Sequence, residues 1–135
     1  MFTSRRVFTL LACATLAGAV LAQDKYPSKP IRMIVPFPPG ASTDILGRTI
    51  AQKLSTTMGV PVIVDNKGGA SGTMGSEMLA RSAPDGYTIG VAVPATHSLP
   101  IALSRKVPYD PIKDFTPLSI VVNNPLAIVV TNDLP

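Results

Sequence analysis

The chain has no tryptophan, one histidine and one cysteine, and only 15% of its residues are charged. A single cysteine cannot close an intramolecular disulfide or build a cysteine metal site. A single histidine, with no histidine or cysteine partner, is a poor metal ligand. Neither GxGxxG nor GxxxxGK[ST] occurs, so the two common nucleotide fingerprints are missing. No basic run with interleaved aromatics is present, which argues against a nucleic-acid partner. What remains is a chain of 135 residues, 46% hydrophobic, enough for one modest globular domain with a real core.

The first stretch, MFTSRRVFTLLACATLAGAVLAQ, sets two arginines before an uncharged run from Val7 to Ala22 that ends in small residues. This is the pattern of a secretory signal over 1–22, cleaved between Ala22 and Gln23, which predicts an exported mature protein. The run is too short, and too rich in alanine and threonine, to anchor the mature chain in a membrane. Ser4, Arg5, Arg6 and Phe8 also fit the start of a twin-arginine signal, with Thr9 where leucine is preferred, so both export routes stay open. Leu10, Leu11 and Ala12 precede Cys13 as in a lipid-attachment box, but its lead from Arg6 is short and an ordinary signal cysteine is the simpler reading. Of 12 basic and 8 acidic residues, Arg5 and Arg6 leave with the signal. The mature part, 23–135, then carries ten against eight, a scattered excess of two.

From Lys29 onward short apolar runs alternate with amphipathic ones. IRMIVPF is apolar at nearly every position, as a strand buried on both faces is. Leu46, Ile50, Leu54 and Met58 then recur every fourth residue, with Ile45 beside them and Gly59 as a stop, which predicts a helix. The unit repeats. VPVIVD (60–65) reads as a second strand, Thr73 to Ala83 as a helix with Met74, Met78 and Leu79 on one face, Pro84 to Gly86 as a turn, and YTIGVAV (87–93) as a third strand. Strands joined by helical crossovers imply an α/β fold with a parallel sheet. Beyond Pro94, ATHSLPIALS suggests a short helix, KVPYDPIKDFTPL a surface segment with Asp110 capping a turn at Pro111, and SIVVNNPLAIVVTND one or two further strands.

Ligands of such sheets settle at the carboxyl ends of the strands. The loop PFPPGASTD (36–44) lies there, after the first strand. Its prolines leave little entropy to lose on binding. Gly40 permits a close approach, and Ser42, Thr43 or Asp44 can cap the helix whose free N–H groups attract an anion. A well-capped structural turn explains the same residues. The glycine loop KGGASGTMG offers N–H groups to the same cleft, or simply lets a helix pack closely. His97, in PATHS after the third strand, could bond a ligand carboxylate, cap a helix or satisfy a turn. Asp65 imitates a ribose ligand, but the loop before the first helix lacks the required glycines. Ser71 is no nucleophile-elbow serine, because Thr73 stands where GxSxG needs glycine.

These segments, YPSKPIRMIVPFPPGASTDILGRTIAQKL, VPVIVDNKGGASGTMGSEMLARSAPDGYTI, ATHS and VPYDPIKDFTPLSIVV, closely resemble the substrate-binding proteins of tripartite tricarboxylate transporters, the Bug receptors. The resemblance runs from Tyr26 to the last residue. It implies an exported, non-enzymatic receptor of the type II periplasmic binding-protein kind. Two lobes close on a small organic carboxylate and deliver it to membrane permease subunits, without cofactor or metal. It further implies that Phe37, Pro39, Gly40, Ala41, Ser42, Thr43 and Asp44, with Ala95, Thr96, His97 and Ser98, hold the ligand carboxylate, partly through ordered water and backbone groups.

Three departures stand out. Ala41 occupies a position where many relatives have a second glycine, which would restrict a positive φ there. Pro100, Ile101 and Ser104 replace an asparagine-proline pair and a tyrosine. Relatives are more than twice as long, so the chain is expected to be an N-terminal piece, mostly the first lobe, that binds ligand weakly or not at all on its own. The competing expectations are a secreted hydrolase-like fragment using Ser71 and His97, and a remnant without function. An ester-hydrolysis assay with a Ser71→Ala control separates the first of these, and cooperative unfolding the second.

Overall fold

The computed structural model describes residues 25–123. The expected signal, including Cys13, and residues 124–135 lie outside the described residues. Three short strands, β1 (Ile31–Val35), β2 (Val62–Asn66) and β3 (Thr88–Gly90), alternate with helices α1 (Ser42–Met58), α2 (Thr73–Ala80) and α3 (Ser98–Ala102). Both pairings are parallel and the order is β2-β1-β3. Ile31 stands opposite Val62, and Arg32 opposite Thr88. The α/β parallel sheet expected from the apolar periodicity is therefore the fold.

Two crossovers of the same hand that run in opposite directions must lie on opposite faces of a sheet. The helices do so. A methyl group placed on Gly47 of α1 would come within 2.8 Å of Val35 Cγ2 and 3.7 Å of Met33 Sδ, so α1 rides on the face of Met33 and Val35. Leu79 of α2 covers Gly90 on the opposite face, where Gly90 pairs with Ile34. As the central strand, β1 is almost wholly buried at Ile31, Met33, Ile34 and Val35. Each of these side chains contributes about 1.5 to 3 kcal/mol by leaving water.

Helix α1 ends as its sequence predicts. Gly59 takes a left-handed conformation (φ 71°) and donates its N–H to Ser55 O at 3.0 Å. Its inward face is the expected one in part, with Leu46, Ile50, Leu54 and Met58 half-buried. Gly47 and Ala51, one turn apart, are buried together with Asp44, whereas Ile45 is 61% exposed. Small residues let the helix approach the sheet closely, which outweighs the burial that larger side chains would bring. For the same reason the face expected for α2 is corrected: Gly75 and Ser76 are buried, while Met74 and Met78 are exposed.

Other boundaries are shorter than the apolar runs suggest. Strand β1 stops before Pro36, β2 begins after Pro61, and β3 covers only Thr88 to Gly90. Proline cannot donate to the ladder, so it ends pairing. Tyr109, in the proline-rich segment expected at the surface, is buried. Asp110 caps the following turn as expected, its Oδ1 accepting the N–H groups of Ile112 and Lys113, each at 3.0 Å. Of the further strands expected over SIVVNNPLAIVVTND, residues 119–123 are exposed and unpaired, and the remainder lies outside the described residues.

Candidate functional site

The first crossover carries the chain to one side of β1 and the second to the other. The crevice where strand order reverses therefore opens at the carboxyl ends of β1 and β3. The loops at that crevice are 36–41, leading into α1, and 91–97, leading into α3. Every residue singled out from the sequence for binding sits on one of them or at the start of the helix that follows.

Ala41 is the N-cap of α1 (φ −68°, ψ 158°) and offers no side-chain cap. Its φ is negative, so the loop does not need the second glycine of relatives at this position; Gly40 (φ 84°) supplies the left-handed residue. The N–H groups of Asp44 and Ile45 both reach Ala41 O, at 2.9 and 3.1 Å. Among the described residues no hydrogen-bond partner is present for the N–H groups of Ser42 and Thr43. These two donors lie at the positive end of a helix of 17 residues.

Asp44 does something other than cap the helix. It is 3% exposed, and its Oδ2 accepts the Gly40 N–H at 2.8 Å and Arg48 Nε at 3.0 Å. Asn66 Nδ2 donates to its Oδ1 at 2.8 Å and to Phe37 O at 3.1 Å, while Arg48 Nη2 donates to Asn66 Oδ1 at 2.9 Å. Arg48 above all, then the Gly40 N–H and Asn66, lowers the Asp44 carboxyl from 3.8 to about 2. The charged form of the carboxylate is thus favoured, and both of its oxygens are occupied inside the protein. It holds the loop in shape and leaves the outward N–H groups free of a neighbouring negative charge.

Thr96 is fully buried. Its hydroxyl donates to Val93 O at 3.0 Å and lies 2.8 Å from His97 Nδ1, and its own carbonyl accepts the Tyr109 hydroxyl at 2.7 Å. The His97 ring packs edge-on against Phe115, centroids 4.6 Å apart, and burial lowers its pKa. Neutral and held on Nδ1, His97 presents a polar ring edge and no fixed charge. Ala95 is half-buried beside them.

The glycine loop joins the two halves. Gly69, Ala70, Ser71 and Gly72 all have positive φ, and Gly72 donates its N–H to Gly69 O at 2.9 Å, making one left-handed turn ahead of α2. A methyl group on Gly72 would lie 2.7 Å from Thr96 Cγ2, 3.2 Å from Pro36 O and 3.3 Å from Phe37 Cζ. One on Gly75 would meet Lys67 O at 2.6 Å and Pro36 Cα at 2.9 Å. Of the two possibilities raised by the sequence, close packing is what the glycines show: Gly72 wedges between Thr96, Pro36 and Phe37, and its N–H is spent on Gly69 O.

Other sequence features have ordinary roles. Asp65 pairs with Arg32 and with Lys67 Nζ at 3.2 Å, the Arg32 hydrogen bond chiefly lowering its pKa. Ser71 is exposed, and among the described residues no hydrogen bond joins it to His97. Among those residues no group of three His, Cys, Asp or Glu could hold a metal ion, and no helix is long and apolar enough to cross a membrane. Sequence pattern did not point to Asn66, Arg48 or Tyr109. The one available hint was a carboxamide ending an apolar strand next to the loop.

The model of the tripartite tricarboxylate transporter family receptor matches residues 46–135 of this chain. The chain belongs to that family. It is 44% identical to Protein BugT of Bordetella pertussis over 126 residues, which is 90% of this chain and 37% of that protein. A structure titled as a periplasmic transporter shares 50% identity over 65% of this chain and 30% of its own, with a TM-score of 0.61. MatC from Rhodopseudomonas palustris, solved with bound malate, superposes with a TM-score of 0.64 at 39% identity, covering 68% of this chain and 31% of that one. The chain spans less than two fifths of the length of these relatives. Members of the family are solute-binding receptors rather than enzymes, and the hydrolase expectation built on Ser71 and His97 falls with that assignment.

Proposed function

We propose that this family receptor chain carries one wall of a site for a small organic carboxylate, in a protein exported to the periplasm that delivers its ligand to membrane permease subunits of a tripartite transporter. Residues 1–22 act as the export signal, cleaved after Ala22, and 23–135 form the N-terminal part of the receptor, mostly its first lobe. The observation that carries the reading is the pair of N–H groups at Ser42 and Thr43, which have no partner among the described residues. They head a long helix at the strand-order reversal, and the nearest carboxylate, Asp44, is turned inward and neutralised by Arg48. A carboxylate suits such a place, since it accepts two backbone N–H bonds and gains from the helix dipole without a charged side chain. Phe37, Pro39, Gly40 and Ala41 shape the mouth of the cradle, Asp44 holds it, and Ala95 and His97 form its opposite rim, supported from behind by the buried Thr96.

The malate in MatC makes malate a suitable probe. In a ¹H–¹⁵N titration of the chain, malate is expected to shift the Ser42 and Thr43 amides in the millimolar range, as a single wall without its partner would. A titration that moves only residues away from 37–44 and 95–98 would sink the reading. Mass measurement of the exported protein checks the signal: a mature N-terminus at Gln23 is expected, and an intact Met1 would refute it.

A further inference from the structure

We infer that Asn66 is the positioning residue of the cradle, acting through Phe37 and Asp44 without touching the ligand; this rests on the carboxylate-binding reading. Asn66 is the last residue of β2 and comes from a different strand than the loop it grips. Its amide spends both N–H groups on that loop, one on Phe37 O at 3.1 Å and one on Asp44 Oδ1 at 2.8 Å. Its oxygen accepts Arg48 Nη2 at 2.9 Å. The orientation of the amide is fixed by chemistry, because a flipped group would set its oxygen against a carbonyl and a carboxylate and its NH₂ against a guanidinium.

Phe37 stands at the entry of the loop and Asp44 at its exit into α1. One side chain therefore clasps both ends. Asp44 in turn holds the middle at the Gly40 N–H. With the Gly40 N–H on Asp44 and the Ala41 N–H on Pro38 O, the loop donors left without a partner among the described residues are those of Phe37, Ser42 and Thr43, the last two at the head of α1. If Asn66 is lost, Asp44 keeps Arg48 and Gly40, so α1 remains, but the entry is released. The loop then has freedom that a ligand must remove on binding, and affinity drops.

The test uses ¹⁵N relaxation, amide exchange and malate titration on the chain with Asn66→Ala, Asn66→Asp, and the swap of Asn66→Asp with Asp44→Asn. With Asn66→Ala, backbone order over 37–41 should fall, the Gly40 N–H should exchange faster, and the malate dissociation constant should rise about three- to tenfold. Ser42 and Thr43 should still be the amides that malate shifts. Asn66→Asp should be worse, because it sets a second carboxylate against Asp44. The swap should recover only the contact to residue 44, where the introduced amide can donate to the introduced carboxylate at 66 and accept from Gly40; that carboxylate cannot donate to Phe37 O, so 37–41 should stay loose. An equally ordered loop in Asn66→Ala overturns the assignment, whatever malate does. A wild-type chain whose Ser42 and Thr43 never respond to malate sinks the carboxylate reading instead. Should Asn66→Ala fail to fold, the swap decides: a folded chain whose loop 37–41 is loosened supports the positioning role, and a loop as ordered as in the parent refutes it.

Discussion

The two edges of the sheet are built on different principles. At the amino edge, Tyr26 stacks edge-on with Tyr87 at 5.1 Å and donates its hydroxyl to Gly86 O at 2.8 Å. The Ser28 N–H reaches the Tyr87 hydroxyl at 2.9 Å, and Lys29 Nζ sits 4.2 Å from the Tyr87 ring centre. These contacts run through side chains at the surface, and Tyr26 is half exposed. At the carboxyl edge the contacts are backbone to backbone through glycine, or pass through Asp44 and Thr96, which are buried polar groups with every bond made. An exposed clasp can loosen by degrees, whereas a buried, fully satisfied network holds one geometry until it is broken. The edge that must present N–H groups at fixed places has the second kind.

Gly72→Ala should break the comparison most violently. The new methyl would stand 2.7 Å from Thr96 Cγ2 in a residue of φ 89°, so backbone strain and overpacking act together. A loss of about 3 kcal/mol is expected. A thermal melt followed by circular dichroism checks it; a variant as stable as the parent would show that the two loops are not wedged together at this point.

Acid should distinguish the edges next. The Asp44 carboxyl is depressed from 3.8 to about 2, first by Arg48. A depressed carboxylate gives its stability above its unfolded value, and that contribution disappears as pH falls from 3.8 through about 2. Melts across this window should therefore show a steep loss of stability that Asp44→Asn flattens. Asp85 at the amino edge is lowered mainly by the Tyr87 N–H and is exposed. Asp85→Asn should leave the slope closer to that of the parent. If the two variants flatten it equally, the buried network has no special share in the pH response.

Much of this division was legible in the sequence. Apolar runs at regular spacing gave the strands, period-four leucines and isoleucines gave α1, and Gly59 gave its end, because each reflects burial or backbone freedom that acts locally. The position of loop 36–41 at the carboxyl edge, where parallel sheets bind, followed from its place after the first strand. The direction in which Asp44 points was not legible. A serine-threonine-aspartate string after glycine reads as a choice of helix caps, and only the arrival of Asn66 and Arg48, 22 and 4 residues away, decides that the carboxylate turns inward. Tyr109 was hidden likewise, since proline-rich composition signals a surface segment and says nothing of one ring folded under Thr96. Helix faces were misjudged in part, where Gly47 and Gly75 set the approach distance, because periodicity counts large apolar residues and is blind to small ones.

The smallest expected effects make the finest comparison. Tyr109→Phe removes one hydroxyl at the carboxyl edge and leaves the buried Thr96 carbonyl without its donor, while the ring keeps its packing on Phe115 at 5.5 Å. A cost of about 1 to 2 kcal/mol is expected, because water cannot reach the orphaned oxygen. Tyr26→Phe removes an equivalent hydroxyl at the amino edge, also bonded to a carbonyl, but there water replaces it, and a change within about 0.5 kcal/mol is expected. The two substitutions delete the same atom from the same kind of bond, so parallel denaturant titrations measure only the difference in surroundings. Equal costs would mean that the amino edge is as dry as the carboxyl edge, and that the rigidity of the cradle has some source other than burial of its polar bonds.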